Sequence, residues 1–175
     1  LLPPKHFLGA LEDSGLIIEV GEWVLRRACA QAKAWQDAGQ TPLRVGVNVS
    51  PRQFRHQGFL DTVRAALADA GLAPHLLELD LTEGLLVEHS GNAVAMLREL
   101  KAIGVALAID DFGAGYSSLG YLRQYPVDFI KLDPAFLEGI TEGSRNRSIV
   151  QAVSTLASSL GMGFGVFSST MLIAT

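Results

Sequence analysis

The sequence predicts an α/β fold in which a parallel sheet curves as part of a (β/α) barrel. Three observations predict it. Hydrophobic spacing alternates along the chain between a helical period and short apolar runs. Glycines fall where the helical spans end. Polar residues stand at or near the C-terminal ends of successive strand-like runs. With 175 residues, 49% of them apolar, the chain is long enough to bury one sizeable core.

Each element follows in order. Pro3-Pro4 precede a helical segment that runs to about Asp13 and is broken by Gly15. From Ile17 to Asp37 apolar residues recur at helix spacing (Val20, Val24, Leu25, Ala28, Ala32), and Gly39 stops the helix. Arg44–Val49 read as a strand. A helix over Phe59–Ala70 ends at Gly71, and Leu76–Leu81 form the second strand. Asn92–Ile103 read as a helix ended by Gly104, followed by the strand Val105–Ile109. A short helix near Ser118–Arg123 stops before Pro126, and Asp128–Leu132 form the fourth strand. Arg145–Leu160 make a long helix ended by Gly161, and Phe164–Phe167 begin a fifth strand.

Helix after strand throughout implies parallel pairing with right-handed crossovers. An open doubly wound sheet gathers its site at one switch point. Here each successive strand offers its own polar residue: Asn48, Asp80, Asp110 and then Lys131. That distribution favours the mouth of a barrel, although five strands are too few to close one.

Asp110-Asp111 lead into Phe112-Gly113-Ala114-Gly115-Tyr116-Ser117-Ser118. Adjacent carboxylates that are partly buried need a cation to stay ionised. Gly113 and Gly115 let the backbone fold closely over a ligand, and Tyr116, Ser117 and Ser118 supply hydrogen-bonding groups. The competing reading is a solvated acidic turn. The loop is not a dinucleotide fingerprint, because Ser118 stands where the third glycine belongs.

A net charge of −4 gives no electrostatic grip on a nucleic acid polymer or an anionic membrane surface. Cys29 is the sole cysteine, which leaves no disulfide within the chain and no thiolate metal site. His6, His56, His75 and His89 lack ligand spacing. With no apolar run of spanning length and no signal-peptide pattern, a cytoplasmic location is expected. The chain begins with Leu, as an excised piece of something longer would.

The ordered motifs are Gly15-Leu16-Ile17, Glu22-Trp23-Val24-Leu25, Val47-Asn48-Val49-Ser50-Pro51-Arg52-Gln53-Phe54, Leu79-Asp80-Leu81-Thr82-Glu83, the Asp-Asp-Phe-Gly-Ala-Gly-Tyr-Ser-Ser loop and Asp128-Phe129-Ile130-Lys131-Leu132-Asp133. Together they resemble the EAL family of cyclic-di-GMP phosphodiesterases, which open cyclic di-GMP to linear pGpG. The resemblance implies a partial TIM-like (β/α) barrel and the cofactor Mg²⁺ or Mn²⁺, hard cations served by oxygen donors. By resemblance Asn48, Asp80 and Asp110 are ligands of the first metal. Asp111 serves the second and positions the attacking water. Lys131 orients that water or stabilises phosphoryl charge, Asp133 supports the same face, and Glu83 anchors the glycine loop. Read alone, Asn48 is equally a turn-former and Lys131 a solvated strand end, and Arg52 reads as a surface residue rather than a phosphate contact. The resemblance also implies a homodimer and, in a parent chain, a diguanylate cyclase or sensory domain.

Departures from the family pattern accompany the matches. Asp80 stands where the family usually has Glu, and Ala114 where it has Thr. The Glu-Ala-Leu strand is expected upstream of Leu1, and Phe167 falls where a further metal-binding Glu is expected. Residues 1–160 therefore read as a partial EAL domain, and 161–175 as an atypical tail of the kind a frameshift, gene-model error or truncation produces. Two functional classes follow: a phosphodiesterase segment incompetent by itself, or a degenerate cyclic-di-GMP receptor or regulatory module. An unrelated metal-dependent barrel enzyme would explain the strand-end carboxylates but not the ordered motifs.

Overall fold

The computed structural model describes residues 6–88, 90–114, 122–141 and 143–165, without the side chains of 87–92. Helices α1 (Leu8–Ser14) and α2 (Ile17–Asp37) lead into β1 (Val45–Val49), a one-turn α3 (Pro51–Phe54) and α4 (Phe59–Ala70). There follow β2 (Leu77–Thr82), α5 (Glu83–Glu88), α6 (Ser90–Ile103), β3 (Ala106–Phe112), β4 (Phe129–Leu132), α7 (Arg145–Ser159) and β5 (Gly163–Gly165). Gly15 and Gly71 end α1 and α4 in left-handed conformations that most side chains adopt only with strain.

All five strands are parallel, and they lie in the sheet in chain order. Right-handed crossovers that never reverse direction place successive helices on one side of the sheet, which is the winding of a (β/α) barrel. The strands accordingly have two unlike faces. Val45, Val47, Val49, Leu77, Leu79, Leu81, Leu107, Ile109, Ile130 and Leu132 form a core with Leu25, Cys29, Val63, Leu97, Leu100 and Ala157 of the helices. The alternate positions carry Gly46, Asn48, Glu78, Asp80, Thr82, Ala106, Ala108, Asp110, Phe129 and Lys131. Period-two alternation thus separates the residues that hold the fold together from those available for chemistry.

Side-chain contacts fix where β1 ends and β4 begins. Ser50 and Gln53 cap α3 reciprocally, each backbone N–H donating to the other's side chain at 3.2 Å. Gln53 is buried against α2 at Gly21, where a Cβ would overlap its carboxamide. Lys101 donates to both Asp128 oxygens at 2.8 and 2.7 Å, while Asp128 Oδ2 accepts the Leu107 N–H at 2.8 Å, tying the start of β4 to β3.

The structure departs from the sequence reading at several boundaries. β3 does not stop at Ile109 but runs through Phe112, because its pairing with β2 continues at Thr82–Asp110 and its pairing with β4 resumes at Phe112–Leu132. Leu76 belongs to a 3₁₀ turn, Pro74–Leu76, rather than to β2. The short helices α3 and α5 were not anticipated, nor was the 3₁₀ turn Pro134–Leu137. Most of the expected Ser118–Arg123 helix lies outside the described residues, as do Val166 and Phe167 of the expected fifth strand.

Candidate functional site

The site is built on the concave strand positions near the C-terminal ends of β1 to β4. Asn48 and Asp80 are paired Cα partners on neighbouring strands, and Asp110 pairs with Thr82, two residues beyond Asp80. Equal parity puts the three residues on one face. Asp80 and Asp110 are buried, at 6% and 3% exposure, whereas Asn48 is exposed. The surrounding residues are small. A Cβ at Gly46 would come within 3.1 Å of Asp80 Oδ2, and Ala106 and Ala108 present only methyl groups.

Those small residues leave a path for Lys131 on β4. Its ammonium crosses above β3 to β2, where Nζ lies 2.7 Å from Asp80 Oδ1 and 2.8 Å from Glu78 Oε1. Burial pushes the Asp80 carboxyl up to about 6, outweighing the opposing effect of the Lys131 ammonium. Burial also acts to lower the Lys131 pKa, but its hydrogen bonds to Asp80 and Glu78 prevail and raise it, so the amine stays charged.

The Asp110-Asp111 pair sits in a β-bulge. Ile109 pairs with Ile130 and Phe112 with Leu132, so two acidic residues stand opposite Lys131 alone. Asp111 takes a φ of 53°, the only positive φ outside glycine among the described residues. Its backbone N–H donates to Asp110 Oδ1 at 3.0 Å. Aspartate tolerates the left-handed region better than most residues, and a bulge there re-aims the second carboxylate instead of sending it to the helix face. Burial raises the Asp111 pKa, with further contributions from the neighbouring charges of Asp110 and Asp133.

The remaining candidates surround this centre. Glu83 Oε2 accepts the Gly113 N–H at 3.2 Å, joining the start of α5 to the loop after β3. Asp133 caps the turn after β4, its Oδ1 accepting the Ala135 N–H at 2.7 Å. Gly115, Tyr116, Ser117 and Ser118 lie outside the described residues. Arg52 bonds the carbonyls of Glu12 and Asp13 at the end of α1, an electrostatically favourable place for a cation. Two residues of the face, Glu78 and Gly46, were missed. Leu77-Glu78-Leu79-Asp80-Leu81-Thr82 alternates strictly, and that period places Glu78 on the same face as Asp80.

Asn48, Asp80, Asp110 and Asp111 offer oxygen donors only, a set suited to a hard divalent cation rather than a thiophilic one. The raised Asp80 pKa fits this, since a bound cation would favour the ionised form that burial disfavours. Among the described residues no three Asp, Glu, His or Cys side chains stand together as a ready-made cage. Asp80 is engaged with Lys131 instead.

Comparison with known proteins places this arrangement. The family model described as EAL domain matches residues 1–164. The bifunctional diguanylate cyclase/cyclic di-GMP phosphodiesterase MucR of Pseudomonas aeruginosa is 40% identical over 162 residues, 93% of this chain and 24% of that protein. The cyclic di-GMP phosphodiesterase NbdA of the same organism is 42% identical over 160 residues, 91% of this chain and 20% of that protein. The solved structure titled PaMucR phosphodiesterase, c-di-GMP complex, superposes with a TM-score of 0.88 at 37% identity, covering 97% of this chain and 75% of that one. The chain spans about one fifth to one quarter of the length of the first curated relatives it matches. A matched family model over nearly the whole chain, with five parallel strands in chain order, makes this chain a member of the EAL domain family.

Proposed function

We propose that this chain supplies the metal-binding and water-positioning face of a cyclic-di-GMP phosphodiesterase that yields pGpG. The observation that carries this reading is the bulge that sets Asp110 and Asp111 opposite Lys131, beside Asp80 on the same concave face. Family relatives named as cyclic di-GMP phosphodiesterases and a neighbour solved with c-di-GMP support the substrate class.

In this reading Asn48, Asp80 and Asp110 hold one Mg²⁺ or Mn²⁺, and Asp111 faces a second. Bound there, such cations lower the pKa of coordinated water and offset phosphoryl charge. Asp111 accepts hydrogen bonds from the attacking water and sets its direction. Lys131 donates toward the developing negative charge on the phosphoryl oxygens. Glu83 fixes Gly113 so that the backbone after β3 approaches the substrate in one conformation.

A second reading, a cyclic-di-GMP receptor that has lost catalysis, is favoured by one observation: the described carboxylates do not form a ready-made cage. In a longer parent protein carrying the whole domain, conversion of cyclic di-GMP to pGpG with Mn²⁺ separates the two, run beside calorimetric titration of the dinucleotide with Ca²⁺ as a non-catalytic metal. Turnover supports the phosphodiesterase. Binding without turnover supports the receptor, and absence of both signals removes cyclic di-GMP as the ligand.

A further inference from the structure

Glu78 is a buried carboxylate with no part in the chemistry above, yet it is as close to Lys131 as Asp80 is. Lys131 Nζ lies 2.8 Å from Glu78 Oε1 and 2.7 Å from Asp80 Oδ1, and the side chains of Lys131 and Glu78 are each 12% exposed. The two carboxylates differ in how they are held. Glu78 Oε2 faces Arg44 at 3.4 Å. Arg44 is itself fixed, donating from Nε to the His75 carbonyl at 3.3 Å and lying 4.7 Å from the centre of the Phe129 ring. Asp80 lies two residues further along β2, toward Asn48 and the acidic pair.

We propose that Glu78 is a positioning residue for Lys131, holding its ammonium on the concave face when Asp80 turns to a bound cation, an assignment that rests on the phosphodiesterase reading of Asp80 and Lys131. A buried ammonium deprived of its carboxylates is strongly disfavoured. If Asp80 were its sole partner, a cation arriving at Asp80 would expel Lys131 from the site it is meant to serve. Glu78, held from behind by Arg44, provides a second seat that the cation does not contest. Arg44, Glu78, Lys131 and Asp80 carry two positive and two negative charges, so the network stays balanced until a cation enters.

The test follows the Lys131 ammonium by ¹H–¹⁵N spectroscopy, its signal identified by its disappearance in Lys131→Met. Asp80→Asn removes the charge that a cation would draw away. A protected Lys131 signal is expected in the unaltered protein and in Asp80→Asn, and its loss to solvent exchange in Asp80→Asn/Glu78→Gln with the backbone spectrum unchanged. Absence of the signal in the unaltered protein, loss in Asp80→Asn, or persistence in the double variant overturns the assignment. If the double variant loses its folded spectrum, Asp80→Asn/Glu78→Asp replaces it, since the carboxylate one methylene shorter no longer reaches and the same loss is expected. Mg²⁺ added to the unaltered protein should move the Asp80 carboxyl ¹³C resonance while the Lys131 signal survives. An unmoved Asp80 resonance defeats the metal reading alone, because the Asp80→Asn pair judges Glu78 without metal.

Discussion

Asp111 donates its own backbone N–H to the Asp110 carboxylate at 3.0 Å, across a bulge that gives both residues one opposite neighbour, Lys131. Regular strand neighbours point to opposite faces. Here the left-handed φ of Asp111 breaks that alternation where two acids follow one another. Holding a non-glycine residue at such a φ costs on the order of 1 kcal/mol or more, a strain that persists only where the surrounding structure imposes it.

The two aspartates should therefore separate by role. In a longer parent protein carrying the whole domain, Asp110→Asn is expected to weaken metal binding and hydrolysis together. Asp111→Asn should leave dinucleotide binding in place and lower turnover by about 10²- to 10⁴-fold, the range for a positioned base. Ca²⁺-supported calorimetry beside a Mn²⁺-supported pGpG assay reads both quantities. Changes within about 0.5 kcal/mol for either variant would reduce the pair to a solvated surface feature.

Glu83 is expected to control the backbone after β3. Glu83→Ala removes the acceptor of the Gly113 N–H and should cost about 1–3 kcal/mol if that donor stays buried and unsatisfied. Hydrogen exchange at the Gly113 amide should accelerate in Glu83→Ala and return toward the original rate in Glu83→Gln, whose carbonyl still accepts. Equal exchange in all three proteins would remove Glu83 as the anchor.

Gly21→Ala opposes two effects of known size. Alanine favours a helix interior by about 1 kcal/mol over glycine. The new Cβ would overlap the buried Gln53 carboxamide, and overpacking of this kind costs about 1–3 kcal/mol. A net loss of stability is expected, seen as a lower denaturant midpoint, with Gln53→Ala relieving the added cost in the double variant. A raised midpoint in Gly21→Ala would show that Gln53 moves aside freely.

Cys29 is fully buried in α2, and burial pushes its thiol up to about 11 from an ordinary value near 9. The folded state thus favours the neutral thiol. Its contribution to stability is complete below about pH 9 and declines as pH rises toward 11, where the unfolded chain alone releases the proton. At pH 8 the folded protein should resist thiol alkylation and react at once when denatured. Rapid labelling of the folded protein would place Cys29 at the surface.

The long helices and the barrel winding were legible in the residues because their causes are local. Helix-period apolar spacing with a stop at Gly71 defined Phe59–Ala70 to the residue, and the same spacing defined Ile17–Asp37. Strand–helix alternation implied parallel pairing, which the sheet shows from β1 to β5. The short α3 and its cap are also written locally, in Ser50-Pro51 followed by Gln53.

Other features needed the assembled sheet. The bulge depends on how β3 registers against β4, and nothing within residues 106–112 alone says that two of them share one partner. The seat of Lys131 on Glu78 and Asp80 joins residues 53 and 51 positions apart in sequence, through space that only the small side chains on the intervening strand leave open. Sequence determined where the strands lie to within a few residues and which of their faces carry charge, because alternation is a property of neighbours along the chain. Tertiary structure decided which charges meet, because that depends on register between strands and on the depth of burial they share.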